Sequence, residues 1–344
     1  MSSAATDIII PVWNRPLETR ECLAALIQYS RDFRLILLDR GSDMETEQVL
    51  HNFAEFLDTR ALLLRCETSQ GFVATINRGL GLATAPLVVV MRATSRVTPG
   101  WLDPFLEVVR QPAAGVLVPR LAPCGSVSSA INHPDTAARE TRYGSFYAFG
   151  VTSGLYGAIG GLDESLDNDI WCLKDYSRRA DRAGFQTLRL TGPPILCREE
   201  VPYGSVDRRN KKALESRAAY EYRWGEEQVY CAFLASAVSR EMLRNIFEAL
   251  LMAARRGHLV YVYAFPAAHR KLLSASLHRL HDSIRVSRLS RFFPSRACRS
   301  ALKQLSTAHR SLRVLGGKEG LVDMEEGERV SFADFEKSIS VAEV

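Results

Sequence analysis

The sequence predicts an α/β protein: a mostly parallel sheet, then a second, smaller α/β domain. Three observations carry this. Short runs rich in Val, Ile and Leu alternate with segments of helical periodicity through the first half. Those runs are continuously apolar rather than alternating, which is how strands covered on both faces read. A second strand and helix alternation starts at Gln228, and 344 residues exceed what most single cores accommodate.

The first strand is DIIIPV, residues 7–12, followed by a helix with Pro16 in its first turn and Leu23, Leu26 and Ile27 at helical spacing. FRLILLD (33–39), ALLLRC (61–66) and PLVVVM (86–91) are the next strands, separated by the helical patterns METEQVLHNFAEFL and FVATINRGLGLA. Strand and helix in strict alternation imply right-handed crossovers and ligand binding beyond the carboxyl ends of the strands. GVLVPRL (115–121) reads as a further strand, and Cys124 to Thr141 as a long loop rich in Gly, Ser, Pro and Asn. Compact structure resumes in YAFGVTSGLYGAIGGLDESL, then a helix over LKDYSRRADRAGF and the strand QTLRLTG. These features place one domain at 1–205, a helical connector at 206–227, a small α/β domain of four strands and three helices at 228–318, and an acidic tail at 319–344.

The net charge of +5 conceals an asymmetry, because Lys and Arg far outnumber Asp and Glu between residues 201 and 318. A basic surface of this kind is either a solvated helix face or an attractor of anionic partners. The stretch RVSRLSRFFPSRACR, with Phe292 and Phe293 among arginines, admits peripheral membrane contact or an interdomain plug, whereas nucleic acid is not the expected partner. Seven scattered cysteines without a C-x-x-C pair argue against a disulfide framework or zinc ribbon. His278 and His281 share a helical spacing but lack neighbouring acids or cysteines at ligand spacing. With no basic and apolar leader and no long apolar run, the expected location is the cytoplasm.

Six short strings occur in a specific order: IIIPVWNRP (8–16), LILLDRGS (35–42), GFVATINRGL (71–80), VVVMRATSRVTPGW (88–101), GGLDES (160–165) and DYSRRADRAGF (175–185). In order and spacing they resemble the family-2 glycosyltransferases with a GT-A fold, the Rossmann-like fold of nucleotide-diphospho-sugar transferases, over about residues 6–200. The resemblance implies a UDP- or dTDP-linked sugar donor as substrate. Pro11, Val12, Asn14 and Asp39 would then contact the nucleoside, with Asp39 accepting from the base; Gly71, Asn77 and Gly79 would lie near the ribose and diphosphate. Asp39 is equally a turn-forming carboxylate before Gly41 and Ser42, and the other three fit an ordinary capped helix.

The pattern then breaks. Arg92, Ala93 and Thr94 stand where the family carries its metal-binding Asp-x-Asp, Cys172 and Leu173 where it carries Glu-Asp, and Cys197 where it often has a histidine. A divalent metal is therefore not expected, and no other cofactor is implied. Arg92 is the candidate to offset the donor diphosphate by bidentate hydrogen bonds. Asp175 is the candidate base, with Asp167 and Asp169 as alternatives; all three are also natural cap or loop carboxylates. Two functions follow: a metal-independent glycosyltransferase with an unknown acceptor, or a catalytically inactive pseudo-glycosyltransferase that serves a protein partner as a binding or scaffold subunit.

Overall fold

The computed structural model describes residues 4–66, 71–125, 138–166, 169–198, 205–290, 292–309 and 311–340. Asp167 and most of the stretch from Cys124 to Thr141 lie outside them. The chain forms two compact units, one of residues 1–138 and 143–220, the other of residues 139–142 and 221–344.

In chain order the first unit runs β1 (Thr6–Val12), α1 (Pro16–Tyr29), β2 (Phe33–Asp39), α2 (Met44–Leu57), β3 (Ala61–Arg65), α3 (Phe72–Leu82), β4 (Leu87–Met91), β5 (Ser95–Arg96), α4 (Asp103–Val108), β6 (Ala114–Val118) and β7 (Leu121–Pro123). After β8 (Ala138–Glu140), at the boundary of the units, come β9 (Ala148–Thr152), α5 (Ser153–Ile159), α6 (Asp169–Arg182), β10 (Gln186–Leu190), β11 (Ile195–Cys197) and α7 (Val206–Trp224). Within this unit the main sheet is ordered β3-β2-β1-β4-β9-β6-β10. Its first four strands are parallel, as expected, and β9 runs antiparallel to β4 and β6.

Strands β1 and β4 are buried along their whole length, whereas edge strand β3 is only partly covered. The expected strand 115–121 splits at Pro119: β6 stays in the main sheet, and β7 joins a small sheet with β11 and β5. Gly79 lets α3 pack directly on the sheet, since a Cβ there would stand 2.7 Å from Ile9 Cγ2 and 3.0 Å from Leu38 Cδ1. At the opposite end of the strands, Asp7 is buried and accepts from Arg34 Nε at 2.7 Å and Nη2 at 3.0 Å, and from the amides of Thr84 at 2.6 Å and Ala85 at 2.9 Å. One carboxylate thus joins β1, β2 and the turn into β4.

The second unit contains β12 (Val229–Leu234), α8 (Arg240–Arg255), β13 (Leu259–Ala264), α9 (Pro266–Ser274), β14 (Ile284–Arg288), α10 (Pro294–Ala308), β15 (Leu312–Gly316), β16 (Glu328–Ser331) and α11 (Phe332–Ser340). Its sheet is parallel throughout, in the order β14-β13-β12-β15-β16. The unit therefore has five strands rather than four. The acidic segment from Glu319 is not a separate tail: β16 adds to the sheet, and Phe332, Phe335 and Ile339 of α11 are buried in its core. Residues 139–142 also belong to this unit, with Glu140 accepting from Arg255 Nε at 2.6 Å and Nη2 at 2.7 Å. Burial, and then the charges of Arg142, Arg139 and Arg255, push the His281 imidazole down to about 3, so it is neutral near pH 7. Among the described residues no helix is long and apolar enough to cross a membrane.

Candidate functional site

Strands β1, β2 and β4 end on one edge, where their loops interlock. The Val12 carbonyl accepts from the Arg40 amide at 2.9 Å. Asn14 donates its amide to Ser42 Oγ at 3.0 Å and accepts from the Asp43 amide on its side-chain oxygen at 2.8 Å. Asn14 and Arg15 hold φ of 55° and 63°, two successive left-handed residues that non-glycine side chains disfavour. The bonds to Ser42 and Asp43 stabilise this conformation. Pro11 is buried in β1, two residues beyond the last β1–β4 pair, Ile9 with Val90.

Asp39 closes β2 and is 3% exposed. One carboxylate oxygen accepts from the Ser42 amide at 2.9 Å, and the other lies 3.4 Å from Arg65 Nη1, itself held by Glu47 at 2.6 Å. The turn-forming role is therefore realised. A carboxylate offers about four acceptor positions, so these two contacts leave capacity for a further donor.

Gly71 caps α3 with its carbonyl, which accepts both the amide and the hydroxyl of Thr75 at 3.1 Å. The next residue, Phe72, is the hub of the edge. Its ring centroid lies 5.5 Å from the Arg40 guanidinium carbon and 5.3 Å from that of Arg92, and Phe146 packs edge-on at 5.2 Å. Arg92 also lies 5.4 Å from the Tyr147 ring. Its backbone is fixed as well: the Arg92 amide donates to Tyr147 O at 3.2 Å, the Arg92 carbonyl accepts from the Ser95 amide at 3.0 Å, and Ser95 Oγ donates to Tyr147 O at 2.8 Å. Two permanent cations thus share one aromatic ring just past the ends of β2 and β4, an arrangement that orients planar N–H donors before any anion arrives.

Sequence reasoning reached Arg92 but missed Arg40, Phe72 and Tyr147. Arg40 and Phe72 stand inside the quoted strings, directly after Asp39 and Gly71; only the strand order, with β1 between β2 and β4, brings them to Arg92.

Three expected site residues have contacts within the fold. Gly79 is the packing glycine described above. The Asn77 side chain accepts from the Leu162 amide at 2.8 Å and donates to Leu162 O and Glu164 Oε1, each at 2.9 Å. It thereby latches the turn after Gly160, and a Cβ on Gly161 would collide with its amide. Asp175 is fully buried in α6 and bound to Arg179 Nε at 2.8 Å, while Arg179 also donates to the carbonyls of Ile159 at 3.1 Å and Gly161 at 2.8 Å. A carboxylate enclosed and spent in this way is poorly suited to take a proton from an acceptor. Asp175→Asn is expected to lower stability by about 2 kcal/mol, because it leaves the Arg179 charge inside the fold, and chemical denaturation of the variant measures this.

A GT-A fold implies a divalent metal, and the side chains described at this edge are poor donors for one. The end of β4 offers Arg92, Ala93 and Thr94, and among the described residues no three His, Cys, Asp or Glu side chains gather into a ligand set. Burial pushes the Cys197 thiol up to about 11, with Arg92 and a bond from Ser95 acting only partly against it, so it stays protonated. Cys172 and Leu173 are core residues of α6.

Comparison with known proteins bears on this edge. A family model described as Glycosyl transferase family 2 matches residues 7–171. PGL/p-HBAD biosynthesis glycosyltransferases of Mycobacterium tuberculosis and Mycobacterium bovis are 35% identical over 94 residues, 27% of this chain and 36% of theirs. The chain thus matches about a third of the length of these relatives. Among solved structures, GalNAc-T7 with UDP, GalNAc and Mn2+ superposes with a TM-score of 0.53 at 13% identity, covering 64% of this chain and 48% of the other. TarS of S. aureus gives 0.50 at 15% identity, covering 63% and 39%. At such identity these structures speak to the fold.

Proposed function

We propose that this protein, whose residues 7–171 match the glycosyl transferase family 2 model, is a nucleotide-sugar-dependent glycosyltransferase that works without a divalent metal. The observation that carries this reading is the pair Arg40 and Arg92 on Phe72, placed past the carboxyl ends of β2 and β4. The donor class is a UDP- or dTDP-linked sugar, and the structural neighbour solved with UDP accords with the first of these. Asp39 accepts the imide N–H of the base, the loop from Val12 to Asn14 flanks the nucleoside, and the diphosphate lies toward the two guanidiniums and the start of α3 at Gly71.

In the transfer step the acceptor oxygen bonds to the anomeric carbon as the bond from that carbon to the phosphate oxygen breaks. The electron pair departs with the nucleoside diphosphate, and the acceptor proton passes to a base on the acceptor side. Arg92 and Arg40 stabilise the charge that develops on the leaving phosphate, which is where preorganised donors lower a barrier most. Asp175, enclosed with Arg179, positions the turn after Gly160 rather than serving as that base.

A second reading, a donor-binding protein without transfer that acts as scaffold for a partner, is favoured by Cys172 and Leu173 lying in the core where the family keeps its acid pair. Incubation of the protein with UDP- and dTDP-sugars and an acceptor panel in excess EDTA separates the two. Release of nucleoside diphosphate with sugar transfer is the expected outcome; donor binding without turnover across the panel establishes the second reading.

A further inference from the structure

The parallel sheet of the second unit changes winding direction between β12 and β15, and a crevice beyond the strand ends at that point is where such sheets usually take a ligand. Here the chain fills it. The Ala235 amide donates to Gly320 O and the Val322 amide to Phe233 O, both at 2.8 Å. Gly320, at φ +88°, sits so close that a Cβ would stand 2.6 Å from Val238 Cγ2. The open depression lies one step away on the same edge, past the ends of β12, β13 and β14. It is a cavity of about 470 Å3 lined by Ser236, Pro266, Ala267, His269, Arg270 and Arg288.

Its volume falls in the range of small-ligand pockets, and its chemistry is one-sided. Two guanidiniums and an imidazole face it, with one hydroxyl and no carboxylate among the lining residues. Helix α9, nine residues long, begins in this wall at Pro266, and no side chain caps its first turn, so its positive end points the same way. Nearby Lys271 is engaged by the Val238 carbonyl at 2.7 Å and braces the wall.

We propose that this pocket binds a phosphate-bearing ligand, with Arg270 and Arg288 as its bidentate donors. The site stands on the second unit alone and is independent of the donor site proposed above. Phosphate chemistry here has two sources, a soluble phosphoester or an anionic lipid headgroup. The loop from β14 to α10 leaves the same edge and carries Phe292 and Phe293, which are 75% and 76% exposed, so a headgroup bound at Arg288 would bring these rings to the bilayer surface.

The test uses the full chain and two probes: inorganic pyrophosphate by titration calorimetry, and phosphatidylcholine vesicles with or without phosphatidic acid by cosedimentation. In the soluble case, pyrophosphate binds saturably, the Arg40→Gln/Arg92→Gln protein retains this second-unit binding, and Arg270→Gln/Arg288→Gln weakens it about tenfold or more. In the headgroup case, binding appears only on phosphatidic acid vesicles and is lost in Arg270→Gln/Arg288→Gln and also in Phe292→Ser/Phe293→Ser. Arg270, Arg288, Phe292 and Phe293 are all exposed, so melting temperatures close to that of the parent are expected for the two variants made at these positions. Failure of both probes to bind saturably, or binding that Arg270→Gln/Arg288→Gln leaves unchanged, overturns the proposal.

Discussion

Arg92→Gln is expected to lower kcat/KM for sugar transfer by about a hundredfold or more, the usual loss when a preorganised donor to a developing oxyanion is removed. Arg92→Lys retains the charge but not the planar fork, and should recover only part of that loss. Arg40 shares the Phe72 ring with Arg92 and is proposed to face the same diphosphate, so the effect of Arg40→Gln combined with Arg92→Gln should depart from the product of the single effects. Stability is a weak alternative explanation: a guanidinium over an aromatic ring contributes about 0.5–2 kcal/mol, and glutamine keeps much of the side-chain contact. A transfer rate that Arg92→Gln leaves within a few-fold of the parent would remove this residue from the chemistry.

The largest stability effect is expected at Asp7. Burial alone would raise its pKa, but the hydrogen bonds from Arg34 and from the amides of Ala85 and Thr84, with the Arg34 charge, outweigh burial and hold it below 3.8. Asp7→Asn should cost about 3 kcal/mol at pH 7, because Arg34, three-quarters buried, loses its counter-ion and an amide NH2 meets backbone N–H groups. The folded state binds this proton less tightly than the unfolded chain does. Its stabilisation is therefore complete above about pH 4 and is lost as pH falls through the lower folded value. Urea denaturation of parent and variant should converge toward low pH and diverge on return to neutrality; a difference independent of pH would contradict the ionised-carboxylate account.

The first four strands were legible because each is a short continuous run of branched apolar residues, and the observed limits differ from the expected ones by about a residue. The break at Pro119 was missed, and GVLVPRL was read as one strand, although the missing amide in its middle carries the cause. The last strand and helix were hidden by charge: the acidic residues around Glu325 obscured Phe332, Phe335 and Ile339, whose helical spacing marks a buried face. At the candidate site, Asp39 and Arg92 were legible as the residues that end strands. The partners of Asn77 and Arg179 were not, because Leu162 and Gly161 reach them through tertiary packing. Arg40 was invisible as a partner of Arg92 for the same reason: residues 40, 72 and 92 meet only when three strand ends align on one edge.

The central claim is that two guanidiniums on Phe72 take the place a divalent ion occupies elsewhere in the fold. It is tested most directly by the melting temperature with UDP and with UDP-sugars, in EDTA and again in excess Mn2+, because a ligand bound only by the native state must raise it. The Arg270→Gln/Arg288→Gln protein is the one to use, so that the second unit contributes no phosphate signal. The account predicts an upward shift of equal size in both conditions that disappears in Arg40→Gln/Arg92→Gln. A shift that requires Mn2+, or one that survives loss of both arginines, would contradict it.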